Sequence, residues 1–249
     1  MLLLNKINKV GNVKTISEIS VFFPAFNEQD NIEKTVITAK NKLEKISKRF
    51  EILIIDDGSQ DKTPAICREL RKKDKRIKII LHKKNQGYGA ALVSGFCNSR
   101  YKWVVFTDAD GQFNFNDIDK LIKCQKNNNS DMVIGRYMDR KVSFMRKINT
   151  FIWQKLVQIT FDLKVKDIDC GFKMIRKEVL SAIMPLKSKR GAFISTEFLV
   201  KSKTKGFKIS EIPVRHYPRK KGTPTGASIR VIINSFRDLL KLRRELKNV

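Results

Sequence analysis

Glu51–Lys73 reads EILIIDDGSQDKTPAICRELRKK: an apolar run, an acidic turn, then a basic amphipathic stretch. An Ile/Leu run without polar alternation implies a strand buried on both faces, here spanning Phe50–Ser59. Thr63 followed by Pro64 predicts a helix start, with Thr63 as N-cap and Pro64 at the first helical position. Gly58, Ser59 and Asp61 then belong to the capping turn. Strand, turn and helix in that order form the repeating unit of a parallel sheet.

Working outward, the unit recurs. EISVFFPA (18–25) reads as a strand and Glu28–Arg49 as a helix, with Ile32, Val36, Ala39, Leu43 and Ile46 near helical spacing. Downstream, IKIIL (77–81), KWVVFTD (102–108) and DMVIG (131–135) predict strands. GAALVSGFCNS (89–99) and FNDIDKLIKCQKN (115–127) predict helices. The expected fold class is α/β, a central mostly parallel sheet flanked by helices on both faces. Ligands of such sheets bind beyond the carboxyl ends of the strands. Those ends here are PAFNE, DDGSQD, HKKNQGYG, TDADGQ and GRYMDR, so acidic, polar and glycine residues gather along one edge.

The second half is more basic. Between Arg140 and Asp162, Ile148, Phe151, Ile152, Leu156 and Ile159 share a helical face beside Arg146, Lys147 and Lys155. CGFKMIRKEVL (170–180) predicts a strand running into a helix, STEFLVKSKTKG (195–206) a helix, and FKISEIPV (207–214) an alternating strand. A Pro/Gly-rich loop over 216–228 precedes an amphipathic helix over 228–246.

Bulk properties narrow the function. The 249-residue chain carries 52 Lys+Arg against 25 Asp+Glu, a formal charge of +27, interleaved with apolar residues throughout. A cationic surface attracts nucleic acid, anionic lipid or phosphorylated small molecules, although a Lys/Asn/Ile-biased genome explains the charge equally well. No RRM-type aromatic-basic motif or zinc finger supports nucleic acid, so none is expected as partner. Four dispersed cysteines without a C-x-x-C pair, and two histidines, exclude a zinc framework and suggest reduced thiols in a cytosolic setting. The leucines of MLLLNKINKV are too short a run for a signal-peptide core, and no run of about 20 apolar residues exists. A soluble or peripheral protein is expected.

Two aspartates one residue apart, Asp108 and Asp110, end the strand KWVVFTD. Adjacent carboxylates repel unless a cation joins them. A hard divalent ion, Mg²⁺ or Mn²⁺, held by one or two carboxylates plus substrate phosphates meets that need, and Gln112 adds a neutral oxygen. A solvated turn is the other reading of the same residues. Asp56 and Asp57 offer acceptors for a nucleobase or ribose. NQGYGAA (85–91) brings glycines to a strand–helix turn, though it is an incomplete dinucleotide fingerprint.

VFFPAFNEQDNI, EILIIDDGSQDKT, NQGYGAALVSGF, WVVFTDADGQ, DCGFKMIRKEVL and GFKISEIPVRHYPRKKG occur in an order that resembles family-2 glycosyltransferases, and within them the polyprenyl- or dolichyl-phosphate sugar synthases. The likeness runs from about Ile19 to Gly226. It implies the GT-A fold over 17–226, with a nucleotide-binding half to about 136 and an acceptor half from 137. Residues 1–16 would be an extension and 227–249 a C-terminal amphipathic helix. By resemblance, Pro24, Ala25, Phe26, Glu28, Asp57, Asp108 and Ala109 bind the donor nucleotide. Asp110 and Gln112, with Asp108 in the shell, hold the metal. Arg136 and Arg219 match arginines placed near phosphate, a role that suits their planar fork.

One departure informs the acceptor. Relatives that glycosylate a sugar hydroxyl carry an aspartate general base just before the TE of a motif like STEFL. Ser195 stands there, with Glu197 two residues on as a remaining candidate base. A hydroxyl needs a base to remove its proton, whereas a lipid phosphate is already an anion. The resemblance therefore implies an inverting transfer from a UDP- or GDP-sugar to a polyprenyl phosphate. The alternative is transfer to a sugar hydroxyl in polysaccharide or glycolipid synthesis. Peripheral contact with an anionic membrane at its cytoplasmic face, through Met145–Ile159, completes the expectation, while the apolar stripe of the C-terminal helix is read first as packing on the core and only second as a further membrane contact. The expectation leaves room for a membrane partner subunit.

Overall fold

The computed structural model describes residues 15–138, 144–188, 193–218 and 229–247, with backbone alone over 144–147, 229–234 and at 247. Strands β1 (Ile16–Ala25), β2 (Ser47–Asp56), β3 (Ile77–Leu81), β4 (Trp103–Phe106), β5 (Met132–Tyr137), β6 (Lys173–Arg176) and β7 (Ile209–Val214) form one sheet ordered β3-β2-β1-β4-β6-β5-β7. All neighbours pair in parallel except β6, which runs antiparallel between β4 and β5. A strand from the second half of the chain is thus inserted beside β4. This reversal brings the turn before β6 to the same edge as the carboxyl ends of β4 and β5.

Helices α1 (Ile32–Ile46), α2 (Thr63–Lys73) and α4 (Ile118–Asn128) cover one face. There Val36, Leu43, Cys67, Leu70 and Leu121 pack on Val21, Ile52 and Val105. The other face carries α3 (Tyr88–Asn98), α5 (Phe144–Phe161), α6 (Lys177–Ile183), α7 (Phe193–Thr204) and α8 (Ile229–Lys247). Its centre is aromatic: Phe22 stacks on Phe106 at 5.4 Å and meets Phe96 edge-on at 5.3 Å, and Phe96 stacks on Phe198 at 5.6 Å. Each such ring contributes roughly 1.5–3 kcal/mol of burial.

Two local expectations are corrected. The helix predicted to Arg49 stops at Ile46, because Ser47–Arg49 pair with Ile16–Glu18 and extend β2 backwards; sheet pairing overrides helical spacing. Thr63 is the first residue of α2 and not its cap. Its hydroxyl accepts from Glu28 N at 2.9 Å, while Asp61 Oδ1 accepts from Thr63 N at 2.9 Å. The capping oxygen therefore comes from the acidic turn, and Thr63 ties α2 to the end of β1.

Candidate active site

The acidic turn begins where β4 ends. Tyr88, the first residue of α3, donates its hydroxyl to Asp108 Oδ1 at 3.1 Å. Burial, then the Asp108 charge beside it, push the Tyr88 phenol well above its ordinary pKa, so it remains a donor. On the other side lies Gly171, in the turn before β6; a Cβ there would overlap the Asp108 carboxylate, so only glycine permits this approach. Thr35 of α1 donates to Ala109 O at 3.2 Å, and Asp110 Oδ1 accepts from Gln112 N at 3.0 Å. Gln112 is joined to Tyr217 twice: its Nε2 donates to Tyr217 O at 2.9 Å, and its carbonyl accepts from Tyr217 N at 2.8 Å. The turn is thus held by β6, α1, α3 and the segment after β7. Arg219 lies outside the described residues.

Toward β3, a cavity of about 330 Å³ opens at the ends of β1, β2 and β3, lined by Phe26, Asp56, Pro64, Leu81, His82 and Asn85 among others. Gly58 shapes its floor: at φ +77° its backbone lies against that of Lys84 and Asn85, where a Cβ would come within 2.6 Å. Asp56 lines this cavity and accepts from Ser59 N at 2.9 Å. Asp57, the acid singled out by resemblance, turns the other way. Its carboxylate accepts from Gln86 N at 2.9 Å and Gly87 N at 2.8 Å, and lies 2.7 Å from His82 Nδ1. His82 Nε2 in turn lies 2.9 Å from Ser94 Oγ. The glycine turn before α3 is fixed by this carboxylate. Pro24 and Ala25 are buried in β1, opposite Ile55 and Asp56. Glu28, also buried, accepts from Asn31 Nδ2 at 2.9 Å. His82 was not anticipated, since a single histidine after a strand carries no spacing signal.

On the far side of the acidic turn, Arg136, next to last in β5, lines a cavity of about 270 Å³ with Tyr137, Thr150, Phe151, Gln154, Lys166 and Asp167. Asp167 accepts from Tyr137 N at 3.0 Å, and the Glu211 carboxylate accepts from Lys166 N at 2.8 Å and Asp167 N at 3.0 Å. Phe113, just after Gln112, stacks on Tyr137 at 6.0 Å, and His216 meets Tyr137 edge-on at 4.8 Å. These rings form the wall between the acidic turn and the Arg136 cavity.

Glu197, the candidate base, is 2% exposed on α7. It accepts from Lys187 N at 2.9 Å, Ser188 N at 2.8 Å and Lys201 Nζ at 2.7 Å. Burial pushes its carboxyl up, but the Lys201 ammonium and these amides outweigh that and hold it below the usual range. Its oxygens anchor the backbone at Lys187 and Ser188 to α7. Ser195 beside it is buried.

Two carboxylates and an amide oxygen on a short turn suit a hard divalent cation whose remaining positions come from diphosphate and water. Among the described residues there is no group of three or more His, Cys, Asp or Glu side chains that would cage a metal alone. The donor set of Asp108, Asp110 and Gln112 is of the kind that substrate oxygens would complete. The cysteines are free, and burial raises Cys170 to about 12.

The family described as Glycosyl transferase family 2 matches residues 20–184. The dolichyl-phosphate beta-glucosyltransferase of Saccharomyces cerevisiae is 31% identical over 219 residues, covering 79% of this chain and 66% of that protein. The undecaprenyl-phosphate 4-deoxy-4-formamido-L-arabinose transferase of Edwardsiella ictaluri is 27% identical, with 93% and 69% covered. Glycosyltransferase AglD of Haloferax volcanii is 30% identical over 81% of this chain, which spans 33% of that protein. Against two of these three relatives, the chain spans less than two thirds of their length. Among solved structures, glucosyl-3-phosphoglycerate synthase from Mycobacterium tuberculosis, crystallised with Mn²⁺, UDP and glucosyl-3-phosphoglycerate, superposes with a TM-score of 0.69 at 17% identity, covering 94% of this chain and 81% of that one. The sheet and its flanking helices have the GT-A fold.

Proposed function

The chain belongs to glycosyl transferase family 2, and on that footing we propose that it transfers a sugar from a UDP- or GDP-sugar to a polyprenyl phosphate with inversion. The observation carrying this reading is the order along the sheet edge. The acidic turn after β4 lies between the 330 Å³ cavity over β1–β3 and the 270 Å³ cavity of Arg136 and Lys166. That order supports a donor on one side and an anionic acceptor on the other, with the carboxylates between them.

In the proposed reaction a lipid phosphate oxygen attacks the anomeric carbon from the face opposite the nucleotide. The new C–O bond forms as the bond to the diphosphate breaks, and the nucleoside diphosphate leaves with the electron pair. The attacking group is already an anion, so no base is required. Arg136 grips it through the planar guanidinium, Lys166 adds a point charge, and Arg219 is assigned as a second phosphate holder. Mg²⁺ or Mn²⁺, when bound by Asp108, Asp110 and Gln112, would neutralise charge on the leaving diphosphate. Phe26, Pro24, Ala25, Glu28 and Ala109 shape the nucleotide pocket, and Asp57 acts there by fixing the Gln86–Gly87 turn. The nucleotide-binding half is assigned to 17–136 and the acceptor half to 137–226, flanked by the extension 1–16 and the helical tail 227–249.

Among the described residues no helix is long and apolar enough to cross a membrane. Contact with a lipid carrier is assigned to the outer side of α5 and α8. Ile152 and Ile159, the latter 81% exposed, stand out on α5, Phe151 lies at the mouth of the Arg136 cavity, and Phe236 and Leu240 are exposed on α8. Trp153 meets Phe236 edge-on at 5.7 Å and joins the two helices. Apolar side chains on a cationic chain suit peripheral docking to an anionic surface, assigned to the cytoplasmic face, and a membrane partner subunit is compatible with it. The deciding experiment incubates the protein with Mn²⁺, a panel of nucleotide sugars and polyprenyl phosphate, and weighs the lipid product. A glycosyl-phospholipid is expected. Transfer only to sugar hydroxyls, with none to lipid phosphate, would overturn the reading.

A further inference from the structure

Lys173 stands at an unusual place for an ammonium. It is the first residue of β6, 0% exposed, and its strand partners are Phe106 of β4 and Ile134 of β5, both buried apolar residues. The neighbouring positions of β6 hold Met174 and Ile175, as the middle of a covered sheet demands. An isolated buried charge is costly, and such groups persist where their charge and hydrogen bonds are used. The Lys173 Nζ donates to Ile168 O at 3.2 Å and to Cys170 O, and lies 5.6 Å from the centre of the Phe106 ring. Both carbonyls belong to the turn Asp167–Gly171, whose last residue presses against the Asp108 carboxylate. The start of the same turn is held by Glu211 through the amides of Lys166 and Asp167. Burial drives the Lys173 pKa down, while Asp167, Asp169 and Asp108 favour its charged form.

We infer that Lys173 is a positioning residue: an internal cation that clamps the Asp167–Gly171 turn from below and so fixes Asp108 for the donor diphosphate. This deepens the proposed function and rests on its assignment of Asp108 and Asp110. Two features distinguish the role from plain packing. A methionine or leucine would fill the slot between Phe106 and Ile134, yet would leave the carbonyls of Ile168 and Cys170 without their donor. The positive charge also lies beneath three carboxylates of the acidic edge, where it offsets their mutual repulsion before any ligand arrives.

The test uses the full chain with UDP and Mn²⁺ as probes. Lys173→Met and Lys173→Gln are compared with wild type for uridine binding, for UDP binding with and without Mn²⁺, and for Tm. The expected result is unchanged uridine affinity with about a tenfold or greater loss of the Mn²⁺-dependent gain in UDP affinity, as for other outer-shell partners of metal sites. Unchanged Mn²⁺-dependent binding in a folded variant overturns the inference alone. If wild type shows no Mn²⁺-dependent gain, the assignment of the acidic turn falls and the inference with it. Should both variants fail to fold, the ¹⁵N signal of the Lys173 ammonium in wild type decides. It should shift when Mg²⁺ and UDP are added, while that of Lys177, which bonds Phe96 O at the opposite end of the sheet, stays in place. An unmoved Lys173 signal overturns the proposal.

Discussion

The sheet edge over β1–β4 and the edge over β5–β7 belong to one sheet but are built by different means. Over β1–β4 the carboxylates are set by backbone amides: Asp56 by Ser59, Asp57 by Gln86 and Gly87, Asp110 by Gln112. Over β5–β7 amides again set carboxylates, Asp167 by Tyr137 and Glu211 by Lys166 and Asp167, but most of the lining is side chain: the rings of Phe113, Tyr137 and His216 and the face of α5 beside Arg136. Amide-fixed oxygens hold their geometry without a ligand, which suits a metal–diphosphate site that must be precise. A cavity walled by a helix with exposed apolar residues suits a substrate that arrives from a lipid surface. Under the proposed function, donor and acceptor fall to the two edges, and that division can be broken by experiment.

The largest effect is expected at Asp110. Asp110→Asn should lower kcat by about 10³-fold, with Tm nearly unchanged, because it removes a carboxylate proposed to hold the divalent cation that would offset charge on the leaving diphosphate. Arg136→Ala should cost about 10²-fold in kcat/KM, carried mainly by KM for the lipid phosphate, since it grips the acceptor in ground and transition states alike. Steady-state kinetics with each substrate varied separate the two. If Arg136→Ala instead raised KM for the nucleotide sugar, the division between the edges would be wrong.

This contrast also explains how much was legible in the sequence. The strands near β1–β4 announce themselves as unbroken apolar runs, and their acidic ends fall where the rule for α/β sheets puts a ligand. The reversal of β6 was not legible, because KMIR has no directional mark; only pairing with Phe106 and Ile134 reveals it. For the same reason Lys173 read as one more lysine in a chain of many. Asp56 and Asp57 show a finer limit. Adjacent residues in a strand point to opposite faces, and sequence alone does not tell which carboxylate meets the cavity. The helix assigned to Glu28–Arg49 overran because Ser47–Arg49 carry no stop signal for a helix and yet pair with β1.

A smaller effect is expected on the outer side of α5. Ile152→Ser combined with Ile159→Ser should weaken binding to anionic lipid vesicles by about tenfold, measured by sedimentation, while turnover of a short, water-soluble polyprenyl phosphate stays near wild type. Equal losses in both measurements would mean that these residues serve the fold, and the edge over β5–β7 would lose its claim to face a membrane.

The smallest effect on turnover is expected at Glu197, and here the acceptor itself is at stake. If the acceptor were a sugar hydroxyl, Glu197→Gln would abolish transfer, since the base would be gone. With a lipid phosphate acceptor, turnover should remain within about twofold, because the carboxylate is engaged by Lys187 N, Ser188 N and Lys201 Nζ. The cost should appear in stability instead, on the order of 1–3 kcal/mol for charge-assisted bonds in a buried setting. Its sign with pH is fixed. The folded-state pKa lies below the unfolded value, so the contribution is full above the unfolded pKa of about 4.3 and is lost as pH falls through the folded value. The stability gap between wild type and Glu197→Gln, from urea titrations at pH 7 and pH 3, should therefore narrow in acid. A gap that is constant with pH would show that the charge on Glu197 does not hold the backbone at Lys187 and Ser188 to α7. The role of the residue would then have to be sought at the substrate.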